Sequence, residues 1–168
     1  GSMQSEMRYL KKYRGVNVLD IAVPEPAGFQ SMIDAYEKAL NDHPKCKMIL
    51  LTHVSNRTGI ITPVKEITAM AKARGVDVLL DAAHSWGQFE FNFQDLGVDF
   101  CGFNMHKWIG VPLGVGLLYI RKNRVLDIEP IRGEAGPEND DVRTRVHTGT
   151  VNFASVLTVP DALDFREN

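Results

Sequence analysis

The sequence predicts an α/β fold, a three-layer helix/sheet/helix arrangement around a mixed, mostly parallel sheet, and three observations carry the prediction. The run Lys45-Cys46-Lys47-Met48-Ile49-Leu50-Leu51 ends in consecutive apolar residues without two-residue alternation, as a strand covered on both faces does. Amphipathic segments separate such runs: Phe29, Met32, Ile33, Tyr36 and Leu40 recur at i, i+3, i+4, i+7 and i+11, which is one face of a helix. Finally, the last two strand-like runs are joined by a turn too tight for a right-handed crossover, so the final strand is expected to run antiparallel to its neighbour.

Taken in order, residues 16–23 read as a strand ended by Pro24 and Pro26, and the helix from Phe29 follows. The strand at 45–51 empties into a polar loop over 52–62. Pro63 is then suited to be the first helical residue, with Thr62 as its cap, Val64, Ile67 and Ala71 as the buried face, and Gly75 as the stop. A strand at 76–80, a short turn or helix from His84 and a strand at 99–104 repeat the alternation that builds parallel sheets. The antiparallel strand is placed at 114–121. Residues 129–148 carry charge, Gly133, Gly136 and Pro137 without periodicity, and read as a long loop. Residues 152–165 look helical, with Pro160 expected to kink or split the helix.

Bulk properties narrow the function. A chain of 168 residues, 44% hydrophobic and 24% charged, has the composition of one globular domain. A net charge of −2 and a pI near 6.2 offer no footprint for a polyanion, and the cluster Arg8, Lys11, Lys12, Arg14 reads as a solvated helix face, so nucleic acid is not an expected partner. No apolar stretch approaches the roughly 18 residues of a membrane helix, and a membrane is not expected either. Cys46 and Cys101 lie in apolar runs, as buried inert thiols do, which suits a reducing cytoplasm. Gly1-Ser2-Met3 has the look of an expression remnant, so the natural start is expected to lie elsewhere.

Chemistry points to two residues. Lys107 follows His106 at the end of a strand and precedes Trp108 and the glycines 110, 114 and 116, which permit tight turns near a ligand. Asp81 closes the 76–80 run and begins Asp-Ala-Ala-His. Both fall at C-terminal ends of parallel strands, where open α/β sheets place ligands. Alone, the lysine is a solvated amine, and Asp81 is the cap of a short helix over 85–88. Together, an amine able to form an imine and a carboxylate able to keep a ring nitrogen protonated are best used by pyridoxal phosphate. His53, Asp81, His84 and His106 lack the close ligand spacing of a zinc site, and no metal is expected.

Four strings occur in order: Thr-His-Val-Ser-Asn-Arg-Thr-Gly-Ile-Ile-Thr-Pro-Val (52–64), Leu-Leu-Asp-Ala-Ala-His-Ser-Trp-Gly-Gln (79–88), Asn-Met-His-Lys-Trp (104–108) and His-Thr-Gly-Thr-Val-Asn (147–152). They resemble the successive motifs of class V aminotransferase-fold, pyridoxal-phosphate-dependent enzymes, and most closely the isopenicillin N epimerase-like branch. The resemblance implies that Lys107 is the Schiff-base lysine and Asp81 the partner of the pyridinium nitrogen. It makes His84 a contact of the ring or its phenolic oxygen, Asn56 a hydrogen-bond donor to that oxygen, and His106 a neighbour of the phosphate. Thr150 would serve the phosphate of the neighbouring subunit's cofactor, which implies a homodimer with shared sites. The structural alternatives are interior histidines at 84 and 106, an Asn56 that stabilises its own turn, and a Thr150 that caps the next helix. Trp86 and Trp108 read as packing residues.

By the same resemblance, residues 1–168 correspond to the middle of the cofactor-binding large domain, without the upstream phosphate-binding turn and the C-terminal small domain. The implied activity is the transformation of an amino acid through a carbanion at its α-carbon, ending in epimerisation or transamination. A desulfurase-type lyase is the alternative within the family. A non-catalytic fragment or dimerisation module is the alternative outside it.

Overall fold

The computed structural model describes residues 2–131, 140–147 and 149–167. Helix α1 (Ser2–Arg14) carries the basic cluster on an exposed surface and is followed by α2 (Phe29–Asp42). Next come β1 (Met48–Thr52), α3 (Val64–Lys72), β2 (Asp77–Asp81), the one-turn helix α4 (Phe93–Leu96), β3 (Phe100–Asn104) and β4 (Gly116–Ile120). Two 3-10 turns (Lys122–Asp127 and Val142–Arg145) lead to α5 (Phe153–Leu157) and α6 (Val159–Glu167). The strands pair in chain order, β1 with β2 and β2 with β3 in parallel, β3 with β4 antiparallel, so the sheet is mixed as the sequence predicts.

The parity of β1 and β2 sets the core. Leu51, Val78, Leu80 and Cys101 are completely buried on one face, against Val64, Ile67 and Ala71 of α3. On the other face Met48 is 47% and Leu118 53% exposed. Gly75, at φ +68°, ends the α3 connection in the left-handed region that favours glycine. At the N-terminal ends of the strands, the buried carboxylate of Asp99 accepts from Lys72 Nζ at 3.1 Å and from the Val78 N–H at 3.3 Å, with Arg124 at 3.4 Å and Arg121 at 3.6 Å. Arg124 also grips Asp77 through two bonds of 2.7 and 2.8 Å, which hold the Asp77 carboxyl below its ordinary range. This network fastens α3, β2, β3 and the first 3-10 turn at one end of the sheet, leaving the opposite strand ends to loops.

Several expectations need correction. Residues 16–23 form no strand; Val16, Leu19, Ile21 and Val23 are exposed, because apolar content cannot make a strand where no described strand pairs with it. Pro63, with ψ at 70°, stands just outside α3 as its cap position, so the helix begins one residue later than predicted and Thr62 does not cap it. Of the two alternatives expected from His84, a turn or a short helix, the structure has the turn, so Asp81 caps no helix there. The α4 turn is unanticipated; Asn92 caps it by accepting from the Gln94 N–H at 2.7 Å, and Gly97 ends it. The helix over 152–165 is split, as expected of Pro160: α5 ends at Leu157 and Pro160 falls in the first turn of α6, where its missing N–H costs nothing. Within the 129–148 loop, a 3-10 turn covers Val142–Arg145, while Gly133, Gly136 and Pro137 lie outside the described residues. Among the described residues no helix is long and apolar enough to cross a membrane.

Candidate active site

Parallel pairing aligns the C-terminal ends of the strands. Thr52 of β1 stands opposite Asp81 of β2, and Asp81 opposite Gly102 of β3. The ladder continues one residue further, with the His53 N–H donating to the Asp81 carbonyl and the Ala82 N–H to the Gly102 carbonyl, both at 2.9 Å. The chain then turns away from each strand and carries its polar residues into the loops.

After β2, the Asp81 carboxylate accepts from the Ala83 N–H at 3.0 Å, which tightens the turn and explains its position without any helix to cap. Three residues on, His84 is half-buried. Beyond β3, Lys107 is exposed and its Nζ lies 3.4 Å from His84 Nε2. Burial, reinforced by the charge of Lys107 and opposed by that of Asp81, lowers the His84 pKa, so the ring is neutral at neutral pH. In the tautomer with its proton on Nδ1, His84 accepts from the Lys107 amine. His84 thus responds to both charges, and the amine, the imidazole and the carboxylate gather at one end of the sheet. Gly102, the register partner of Asp81, has nothing within 4 Å of where a Cβ would stand. The strand end beside the carboxylate therefore borders open space. A primary amine, an imidazole and a carboxylate at one open strand end form a donor set that suits a small aromatic aldehyde with a basic ring nitrogen.

The other predicted residues lie further out. Asn56 is exposed at the tip of a tight loop closed by the Val54–Ile61 bridge. Its turn is stabilised by Ser55, whose hydroxyl accepts from the Arg57 and Thr58 N–H groups at 3.3 Å, so Asn56 is not spent on its own turn. His106 contacts the Val115 carbonyl through Nδ1 at 3.3 Å. Thr150 is exposed in the bend before α5, and the cap of that helix is Asn152, whose side chain accepts from the Ala154 N–H at 3.1 Å. Among the described residues none of these three bonds to the Lys107, His84 and Asp81 group.

Trp86 is a packing residue, stacked on Phe103 at 4.5 Å and Phe93 at 5.5 Å between ring centres. Trp108 is not: it is 45% exposed and meets His84 edge-on at 6.3 Å, so it borders the site. Only its adjacency to Lys107 hinted at this. Cys46 is half-buried with its thiol toward the Met48 carbonyl, and burial pushes the Cys101 thiol up to about 12; both are free cysteines. No group of three or more His, Cys, Asp or Glu among the described residues is arranged to hold a metal ion.

Comparison with known proteins bears on the family and the fold. The sequence matches the family described as Aminotransferase class-V over residues 4–168. It is 28% identical to the putative L-cysteine desulfhydrase 1 of Oryza sativa subsp. japonica, over 98% of this chain and 36% of that protein. It is also 28% identical to the isopenicillin N epimerase of Streptomyces clavuligerus, over 73% of this chain and 35% of that protein. The apo structure of a cysteine desulfurase from Thermococcus onnurineus NA1 superposes with a TM-score of 0.81 at 27% identity, covering 99% of this chain and 42% of that one. The chain thus spans little more than a third of the length of these curated relatives. Cysteine desulfurase and desulfhydrase names recur among its relatives beside the epimerase, so the similarity does not single out the epimerase-like branch.

Proposed function

This chain belongs to the class-V aminotransferase family of pyridoxal-phosphate-dependent enzymes, and from that premise we propose that the complete protein transforms an amino acid at its α-carbon, using Lys107 as the proton-moving base. The observation that carries the reading is the approach of Lys107 Nζ to His84 at the strand end that also holds Asp81. When bound, pyridoxal phosphate supplies an aldehyde that condenses with amines and a ring that accepts electrons.

Lys107 is exposed, so its amine would be available to hold the cofactor and to move a proton at the substrate's α-carbon. Asp81 would keep a proton on the ring nitrogen, and the turn built on its own carboxylate fixes its place. Neutral His84 keeps the amine within hydrogen-bond reach and offers a flat surface for the ring. By the family resemblance, His106 would serve the phosphate, Asn56 the phenolic oxygen, and Thr150 the phosphate of a partner subunit's cofactor in a homodimer. Where Lys107 would return the proton separates the outcomes: delivery to the opposite face of the α-carbon would correspond to epimerisation, and delivery away from the α-carbon to transamination. A cytoplasmic setting fits the two free thiols.

A second reading is favoured by the relatives named for cysteine desulfhydrase and desulfurase activity. From cysteine, loss of the α-proton lets sulfide leave the β-carbon with the bonding pair, whereas transfer to a protein thiol is a different step in which the thiolate attacks the sulfur and the β-carbon keeps the pair and takes up a proton. Neither Cys46 nor Cys101 is placed to receive that sulfur, the first turned to its own strand and the second sealed in the core. In this reading the sulfur is released, or is accepted by a part of the protein beyond these residues.

Pyridoxal phosphate added to the chain, followed by borohydride reduction and peptide mapping, tests the assignment. Label concentrated on Lys107 is expected. Label scattered over surface lysines would instead favour a non-catalytic module. In the complete protein, Lys107→Ala is expected to abolish turnover with the fold retained, and unchanged turnover would remove the mechanism.

A further inference from the structure

Val159, Ala162 and Arg166 recur at i, i+3 and i+7 and so share one face of α6. The first two pack against the core, which carries the third over the ends of two turns. Arg166 NH1 donates to the Trp108 carbonyl at 2.6 Å, and its NH2 donates to the Gly87 carbonyl. Neither carbonyl receives a backbone N–H from the described residues, so the guanidinium satisfies two acceptors that the turns leave unpaired. These are the turns of the site: one carries His84 and ends at Gly87, the other carries Lys107 and continues into Trp108. They also touch directly. A Cβ at Gly87, where φ is +84°, would stand 2.7 Å from Ile109 Cδ1 and 3.2 Å from the Trp108 carbonyl carbon.

We propose that Arg166 is a positioning residue, a forked clasp that fastens the two turns to each other and thereby sets the Lys107 amine against the His84 ring. Its consequence for cofactor capture rests on the reading of Lys107 given above; the clasp itself does not. The fork matters, because two N–H groups in one plane reach two carbonyls at once, whereas an ammonium offers a single point of charge.

Three forms of this chain test the idea: wild type, Arg166→Gln and Arg166→Lys. Amide hydrogen exchange without added ligand is expected to rise together in residues 84–88 and 106–110 of Arg166→Gln, while β2 and α3 keep their protection. With pyridoxal phosphate and borohydride, the labelling of Lys107 relative to exposed Lys65 is expected to fall about tenfold, the scale of one lost charge-assisted hydrogen bond. Arg166→Lys is expected to behave like Arg166→Gln. Unchanged exchange in the two turns overturns the clasp, and full restoration by lysine overturns the role of the fork. Raised exchange with an unchanged Lys107 to Lys65 ratio reduces Arg166 to a structural residue and overturns the positioning role. If wild type shows no preference for Lys107, the functional reading fails and the positioning role falls with it, while the exchange data still decide the clasp.

Discussion

His53 follows β1 with its ring between Phe89 and Phe91, at 5.3 and 4.8 Å between ring centres and nearly perpendicular to both. The residue is 4% exposed, and its Nδ1 has no hydrogen-bond partner. Burial lowers its pKa from 6.5 to about 4. The unfolded chain binds the proton at the ordinary value and the folded chain resists it. The neutral ring's full contribution is therefore present above pH 6.5, declines as the pH falls, and is exhausted below about 4. The gap corresponds to about 3 kcal/mol, a sizeable share of a domain's stability. The clean comparison is His53→Phe, which keeps an aromatic ring in the slot and removes both the titration and the unpaired nitrogen. Urea unfolding of both chains at a series of pH values from about 7 to about 4 gives the difference in stability as a function of pH. Other groups, including the Asp77 carboxyl held low by Arg124, titrate in both chains and cancel. The variant is expected to gain about 3 kcal/mol on wild type across this range. Parallel loss of stability in the two chains would refute a buried neutral imidazole at this position.

Two further perturbations address the frame of the site. Asp99→Ala leaves Lys72, Arg121 and Arg124 facing one another without the buried carboxylate at their centre. It is expected to cost about 3–5 kcal/mol in urea unfolding, and a loss below about 1 kcal/mol would show that Asp99 is dispensable to the network. Gly87→Ala forces a Cβ against Ile109 and the Trp108 backbone at a left-handed φ. A destabilisation on the order of 1–3 kcal/mol is expected, with faster exchange in the Lys107 turn, and an unchanged melting temperature would contradict the tight fit of the two turns.

What was legible in the sequence was what depends on local pattern. Val64, Ile67 and Ala71 repeat with the helical period and are buried together, and the β3–β4 connection is too short for any pairing but antiparallel. Residues 16–23 show the limit, since hydrophobicity marks a segment as able to pair but the ladder partner is a tertiary fact. The chemistry followed the same division. Lys107 and Asp81 could be marked from strand-end placement, and His84 through the family resemblance that the Asp-Ala-Ala-His motif carries. The open flank of Trp108 and the reach of Arg166 arise only when distant segments meet. Nothing near Arg166 in the chain announces two carbonyls, one of them 79 residues away.

The register of β2 has a consequence for the acid at its tip. Val78 and Leu80 fill the sealed side of the strand and alternate with Leu79 and Asp81. Sliding β2 by a single position against β1 would drive the carboxylate into the oily interior and thrust a leucine outward. The same packing that keeps the leucine dry therefore aims the acid. A substitution deep beneath the sheet would thus displace the carboxylate as well as unsettle the interior.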